Sequence, residues 1–261
     1  MNKIWAFDVP CLTVYYSFPS LMPQPFLTAK WQNLVMANYP IEASILKAYL
    51  PCSTELDAFN GIHYVSLVGF LFARTKVMGL SIPFHRTFEE VNLRFYVRYK
   101  DGDEWKRGVV FLKEIVPRRA ISFVANILYG ENYSTRNMKH NWKLDEENLE
   151  VGYFWKVAGE WNYLKAKAEK EPEDWVKGSA EEFITEHYWG YTFVNEKCSG
   201  TYQVSHPRWK IHKVIEHDIF CNAEKLYGPA FGNVLKQEPS SVFLAAGSEI
   251  SVMKGTKIFA P

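Results

Sequence analysis

The sequence predicts an α+β fold: an antiparallel-rich curved sheet or cone-like barrel carrying a few short helices. Three observations predict it. Short apolar or alternating runs recur from residue 32 to residue 255. Two of them flank a tight polar turn. The strand–helix–strand alternation that builds a parallel sheet is missing.

Residues 1–25, with prolines at 10, 19, 23 and 25, read as an irregular lead-in to one domain over 26–261. QNLVMANY (32–39) reads as a strand, and IEASILKAYL as a short helix stopped by Pro51. IHYVSLVGFLFA (62–73) is too apolar for a half-exposed strand and is expected to be buried on both faces. FEEVNLRFYVRY (88–99) alternates strictly. Val91, Leu93, Phe95 and Val97 share one face, and Glu90, Asn92, Arg94, Tyr96 and Arg98 the other. DGD (101–103) then turns the chain into WKRGVVFLKEIV, completing a hairpin.

Pro117 suits the first position of a helix, which a broad apolar face (Ala120, Ile121, Phe123, Val124, Ile127, Leu128) carries to Gly130. Strands return with VGYFWKV, EWNYLKAKAE, YWGYTFV, TYQVSHP, RWKIHKVIE and SVFLAAGSEISVMKG. Between them lie a helix over 179–186, with Ser179 as N-cap and Glu182 in a capping box, and another over 222–236. EKEPEDW (169–175) is a solvated loop.

Composition narrows the function. The 261 residues carry a net charge of +1 and no basic run longer than two, which argues against a nucleic-acid or membrane surface. Cys11, Cys52, Cys198 and Cys221 are widely spaced, without a CxxC pair, and read as reduced thiols. Asp8 and Pro10 interrupt any apolar leader, so the cytoplasm is the expected compartment. His212 and His217 fall on opposite faces of one strand, and no third ligand joins His206 and His212, so no metal site is expected. His187 reads as a packed or surface histidine. Gly-rich phosphate loops and a nucleophile elbow are missing, and nothing calls for a cofactor.

The residues that stand out are Arg118 and Arg119, placed behind Pro117 at a predicted helix start, where cations are unfavourable. Two readings remain open. They pair internally with Glu89, Glu90 or Glu114, or they hold a carboxylate or phosphate of a ligand. Glu90 shares this ambiguity. Its face is either solvent or the lining of a cavity, and in a cavity its carboxyl becomes a usable acid or base.

FLTAKWQNLVMANYPI, AYLPCSTELDAFNGIHYVSLVGF, PFHRTFEEVNLRFYVR, GVVFLKEIVPRRA, AEEFITEHYWGY, SHPRWK and SVFLAAGSEISV resemble the YqjF-like proteins over about residues 26–252. That resemblance implies an acetoacetate-decarboxylase-like fold, a curved antiparallel sheet around a central cavity. The decarboxylase forms an imine through one of two adjacent lysines. In K-E-I-V-P-R-R-A, Arg118 and Arg119 stand where the two lysines would, and Glu90 resembles the pocket glutamate. The pocket arginine would fall near Lys30–Asn33, where this chain has none.

A guanidinium cannot form that imine at neutral pH. The expectation is therefore a cavity for a small organic anion, a keto acid being one candidate. Arg118 and Arg119 grip the anion, Glu114 orients an arginine or tunes Glu90, and Glu90 is the candidate acid or base. Enolisation, hydration or a lyase step without an imine fits these groups. A non-catalytic sensing module and a structural protein with a self-filled cavity stay open, as does homo-oligomerisation.

Overall fold

The structure, a computed structural model, describes residues 24–122, residue 126 and residues 130–260. Cys11, most of the lead-in and the centre of the helical face after Ile121 lie outside the described residues. Sixteen strands are described. They are β1 (Leu27–Ile41), β2 (Thr54–Leu56), β3 (His63–Val77), β4 (Phe88–Asp101), β5 (Glu104–Val116), β6 (Tyr133–Thr135), β7 (Met138–Leu144) and β8 (Asn148–Val157). Then follow β9 (Glu160–Glu169), β10 (Trp189–Asn195), β11 (Cys198–Ser205), β12 (Ile211–His212), β13 (Val214–Phe220), β14 (Ser241–Ala245), β15 (Glu249–Val252) and β16 (Thr256–Phe259). The short helices α1 (Ala43–Leu46), α2 (Ala180–Thr185), α3 (Ala223–Tyr227) and α4 (Pro229–Leu235) connect them.

Seven strands close a ring. β1 pairs with β3, β3 with β4, β4 with β5, β5 with β10, β10 with β11, β11 with β15, and β15 with β1 again. Every pairing is antiparallel except β5–β10. The predicted curved, antiparallel-rich sheet is therefore a closed barrel, which removes the edges an open sheet would expose.

β3 is buried on both faces, as its composition predicts. Val65, Leu67 and Leu71 join the core outside the barrel, and Val68, Phe70 and Phe72 the core inside it. The outer core is covered by a four-stranded sheet in the order β13-β9-β8-β7. Its Trp155 and Tyr153 are fully buried against the barrel. Gly69 gives Tyr153 room, since a Cβ there would sit 2.9 Å from the ring. The Tyr153 hydroxyl donates to the carbonyls of Gln32 and Asn33, at 3.2 and 3.0 Å. Those carbonyls belong to an irregularity in β1 between Gln32 and Val35, with Asn33 at φ 51°. The break lets Trp31 and Leu34, three positions apart, both line the barrel cavity.

The β4–β5 hairpin turns at Gly102, whose φ of 60° suits the first central position of a two-residue turn. Other elements differ from their sequence reading. IEASILKAYL is strand up to Ile41, then a single α-turn and a 3-10 turn, too short to be one helix. The helix expected over 222–236 is two, broken where Gly228 adopts φ 91° and Pro229 opens α4. RWKIHKVIE is not one strand: Trp209 is buried ahead of β12, and β12 and β13 join different sheets. SVFLAAGSEISVMKG splits into β14 and β15 around Gly247 (φ 78°). Ser179 does cap α2, accepting from the Glu182 N–H at 3.3 Å, while Glu182 reaches back to the Gly178 N–H, one residue earlier than a capping box requires.

Candidate functional site

The alternation of β4 carries the site. Its apolar set, Val91, Leu93, Phe95 and Val97, packs into the outer core. Its other face points into the barrel: Phe88, Glu90, Asn92 and Arg94 line an interior cavity of about 190 Å³. Both Glu90 and Asn92 are essentially inaccessible, and Arg94 is 8% exposed. The polar face is therefore a cavity wall rather than a solvent face.

β5 supplies Phe111 and Glu114. Simple alternation would put residues three apart on opposite faces. Between Leu93 and Arg94 of the partner strand the register slips by one residue, so that Arg94 faces Phe111 while Asn92 faces Glu114. The bulge turns both inward. Lys113 points away, its ammonium donating to the Leu226 carbonyl at 2.7 Å. β6 lies parallel to β5, with Tyr133 opposite Glu114, and the segment leading into it brings Glu131 to the same cavity. Tyr202 of β11 completes the polar cluster.

Three carboxyl groups thus share one buried space. Asn92 Nδ2 donates to Glu90 Oε1 at 3.0 Å, and the Tyr133 hydroxyl donates to Glu90 Oε2 at 3.1 Å. The Tyr202 hydroxyl donates to Glu131 Oε1 at 2.7 Å. Burial pushes the Glu90 carboxyl up to about 7, against the lowering effect of these hydrogen bonds and of Arg94. Burial, with Glu90 adding repulsion, pushes Glu131 up to about 8. Glu114 is raised well above the ordinary carboxylate range by burial and by both neighbouring carboxyls. Near neutral pH the cluster holds protons it can donate, and Glu90 is poised to exchange one. Five buried polar atoms of the described lining residues have no hydrogen-bond partner: Trp31 Nε1, Thr75 Oγ1, Asn92 Oδ1, Arg94 Nε and Glu114 Oε2. Of these, Arg94 Nε belongs to the cation of the lining. Arg94 is the one lysine or arginine side chain among the described lining residues.

Of the residues singled out in the sequence, Glu90 and Glu114 meet in the cavity. Arg118 and Arg119 do not line it; both are exposed, and helix begins at residue 119 rather than at Pro117. They precede Ala120 and Ile121, which do line it, Ala120 on the solvent side. Burial raises the Glu89 carboxyl, but the hydrogen bond it accepts from His140 at 2.7 Å, its backbone hydrogen bond and the charges of His140 and Arg118 together hold it below the ordinary value. Arg94, Glu131, Tyr133 and Tyr202 are site residues the sequence reading missed. Arg94 had a signal, since it shares the face of Glu90.

A separate buried pair, His187 and Asp57, is not among the described lining residues. His187 Nε2 and Arg107 Nε both reach Asp57 Oδ2, at 3.2 and 2.7 Å. Burial raises the Asp57 carboxyl, but those two hydrogen bonds outweigh it and bring it to about 2. Burial lowers His187 to about 4, leaving the imidazole neutral. Through Asp57, Arg107 of β5 is tied to the segment after α2. A second hollow, about 280 Å³, lies on the outer face of the four-stranded sheet among Lys143, Lys165, Lys167 and Glu216. Its lysines and acids are solvent-accessible, so it lacks the desolvation that would tune an acid or base.

Among the described residues no grouping of three or more His, Cys, Asp or Glu side chains is arranged to hold a metal, and no helix is long and apolar enough to cross a membrane. Cys52, Cys198 and Cys221 are free thiols.

Comparison with known proteins agrees with this architecture. The chain is 13% identical to acetoacetate decarboxylase from Legionella pneumophila subsp. pneumophila str. Philadelphia 1, with a TM-score of 0.59 and 93% of each chain covered. It is 12% identical to the enduracididine biosynthesis enzyme MppR, solved in complex with pyruvate, with a TM-score of 0.61 and 91% of each chain covered. The fold is thus acetoacetate-decarboxylase-like. In sequence the chain is 33% identical over 110 residues to the uncharacterized protein YqjF of Bacillus subtilis (strain 168). That alignment covers 42% of this chain and 44% of the relative, less than half the relative's length. Residues 28–249 match the model of DUF2071, described as an uncharacterized conserved protein, and the chain belongs to that family.

Proposed function

We propose that the barrel cavity binds a small carbonyl-bearing organic acid, with its carboxylate at Arg94, and that Glu90 moves a proton on it without an imine. The observation that carries this reading is the Arg94 guanidinium. It is buried in the cavity wall with Nε unpartnered, beside a carboxyl that burial has raised to about 7. A buried cation needs an anion or strong acceptors. The neighbouring carboxyls, raised in pKa, are poor counter-ions near neutral pH. A ligand carboxylate supplies the missing charge through a charge-assisted hydrogen bond. The pyruvate bound by the structural neighbour MppR is a ligand of this chemical kind.

The chemistry follows from the protonation states. Ionised Glu90 takes a proton from the carbon next to the ligand carbonyl. The C–H electron pair moves into the new carbon–carbon double bond, and the carbonyl pair onto oxygen. Protonated Glu114 or Glu131 donates a hydrogen bond to that oxygen, and the reverse step returns the proton to carbon. No lysine is among the described lining residues, and Lys113 is engaged on the opposite face of β5, so imine chemistry has no amine to use there. Arg118 and Arg119, exposed beside the lining residue Ala120, act in this reading on the approach of the anion, not on its final grip.

The test uses melting-temperature shifts with small keto and hydroxy acids and their amides, together with deuterium uptake at the carbon next to the carbonyl in heavy water. The parent protein should be stabilised by the acids and not by the amides, and should catalyse uptake. Arg94→Gln should lose the stabilisation. Arg94→Lys, which keeps the charge, should retain part of it and covers the case in which the first variant folds poorly. Arg118→Gln and Arg119→Gln should bind at slower rates with near-normal final affinity. Glu90→Gln should bind and not exchange. Failure of every acid to stabilise the parent sinks the proposal. Stabilisation without exchange in the parent would leave a binding module.

A further inference from the structure

The cavity has two unlike ends, and the second end says what the ligand carries besides its acid head. Across three neighbouring strands one row reads Trp31, Phe72, Phe88, each directly opposite the next in register. Phe72 stacks on Phe88 with centroids 4.7 Å apart and an interplanar angle of 15°. Trp31 meets Phe72 edge-on at 5.7 Å and Phe70 at 5.1 Å. Phe70 is the register partner of Glu90, so the aromatic end begins where the carboxyl cluster stops.

A ligand of pyruvate size held at Arg94 would leave this aromatic wall facing water, which apolar surface of that area disfavours. The volume points the same way. An apolar cavity of about 150 Å³ accommodates the six carbons of benzene, so about 190 Å³ scales to about eight non-hydrogen atoms.

We infer that the ligand is a carbonyl acid with an aliphatic side chain of a few carbons, its acid head between Arg94 and Glu90 and its apolar end against Phe70, Phe72 and Trp31. This rests on the reading of the cavity as an organic-acid site. The ring contacts hold the aromatic residues against one another, so the end is a preformed slot that discriminates by shape.

A homologous series tests the inference by calorimetric titration of the full chain: pyruvate, 2-oxobutanoate, 3-methyl-2-oxobutanoate and 4-methyl-2-oxopentanoate. Each added carbon buried against the slot should tighten binding about fourfold, the equivalent of about 0.8 kcal/mol per methylene. The two largest acids should therefore exceed pyruvate by more than tenfold. Phe72→Leu, which enlarges the slot, should move the optimum to a larger acid such as phenylpyruvate. The series in the parent protein decides the question even if that variant is unstable. Equal affinity along the series, or pyruvate binding tightest, overturns the inference and leaves the organic-acid site standing. Absence of binding by every member removes the organic-acid reading itself.

Discussion

Replacing Glu90 by Gln isolates the energetic consequence of burying an ionisable group in the barrel. In the folded protein the Glu90 carboxyl lies at about 7, against an ordinary 4.5. Between those values the folded state keeps a proton that the unfolded chain releases. Stability contributed by this group is therefore full below about pH 4.5 and falls as pH rises towards 7. The gap is roughly two and a half pH units at about 1.4 kcal/mol each, or on the order of 3 kcal/mol. Glutamine does not ionise and removes this slope. It keeps the acceptor for Asn92 Nδ2 but offers Tyr133 an amide nitrogen where Oε2 accepted a hydrogen bond, at a pH-independent cost of about 1 kcal/mol.

The two effects oppose each other, so the curves should cross. At pH 5 the Gln variant should be slightly less stable than the parent. About one pH unit above the ordinary carboxylate value it should draw level, and by pH 8 it should be more stable by a few kcal/mol. Urea unfolding at half-unit pH steps from 5 to 8 measures the difference directly. Asp57 and His187 are common to both proteins and cancel, whereas Glu114 and Glu131 lose the repulsion of ionised Glu90, which adds to the gain of the variant at high pH. A stability difference that stays flat across this range would show that Glu90 titrates as an ordinary carboxylate, and its role as acid or base would fall with it.

Gly190→Ala would place a Cβ 2.2 Å from the Tyr202 ring, so the ring must move off Glu131; overpacking of this kind should cost about 1–3 kcal/mol and weaken acid-induced stabilisation in the same melts. Arg107→Gln removes a cation that depresses His187, so the imidazole should titrate above its present value of about 4 when followed by proton NMR. Ser179→Ala removes the cap of α2 and should lower stability by about 1 kcal/mol with no change in ligand response. Borohydride treatment with acetoacetate should leave the described cavity segments unmodified on peptide mapping, whereas an adduct on Lys113 would mean that β5 can turn its outer face inward.

What was legible in the sequence was what repeats locally. The doubly apolar β3 and the alternating β4 follow from side-chain periodicity alone, and both the core and the face carrying Glu90 come with them. Ring closure was legible only as a fold class. The pairings that complete it, β5 with β10 and β15 with both β11 and β1, join segments far apart in sequence whose local pattern contains no register. Gly228-Pro229 is a readable break signal within the 222–236 stretch, and one helix ends and the next opens there.

The carboxyl cluster shows why the candidate site was only half visible. Glu90 is placed by alternation, but Glu114 reaches the cavity through a one-residue slip against β4, and a bulge leaves no mark in composition. Glu131 arrives from a segment without strand or helix pattern, held in place because β6 lies beside β5. Arg118 and Arg119 drew attention because two cations at a helix start are unusual, yet exposure leaves their charge in water, where it is screened. Arg94 looks ordinary on an alternating face and is the buried cation of the site because that face turns into the barrel, where Met36 of β1 and the Ile184 carbonyl of α2 lie against its guanidinium. The raised carboxyl groups are therefore a property of closure. Each of Glu90, Glu114 and Glu131 would titrate normally on an open sheet, and only a complete ring excludes the water that would otherwise solvate their charge. The acid–base capacity proposed for this protein thus depends on strand pairings distant in sequence from the residues that carry it.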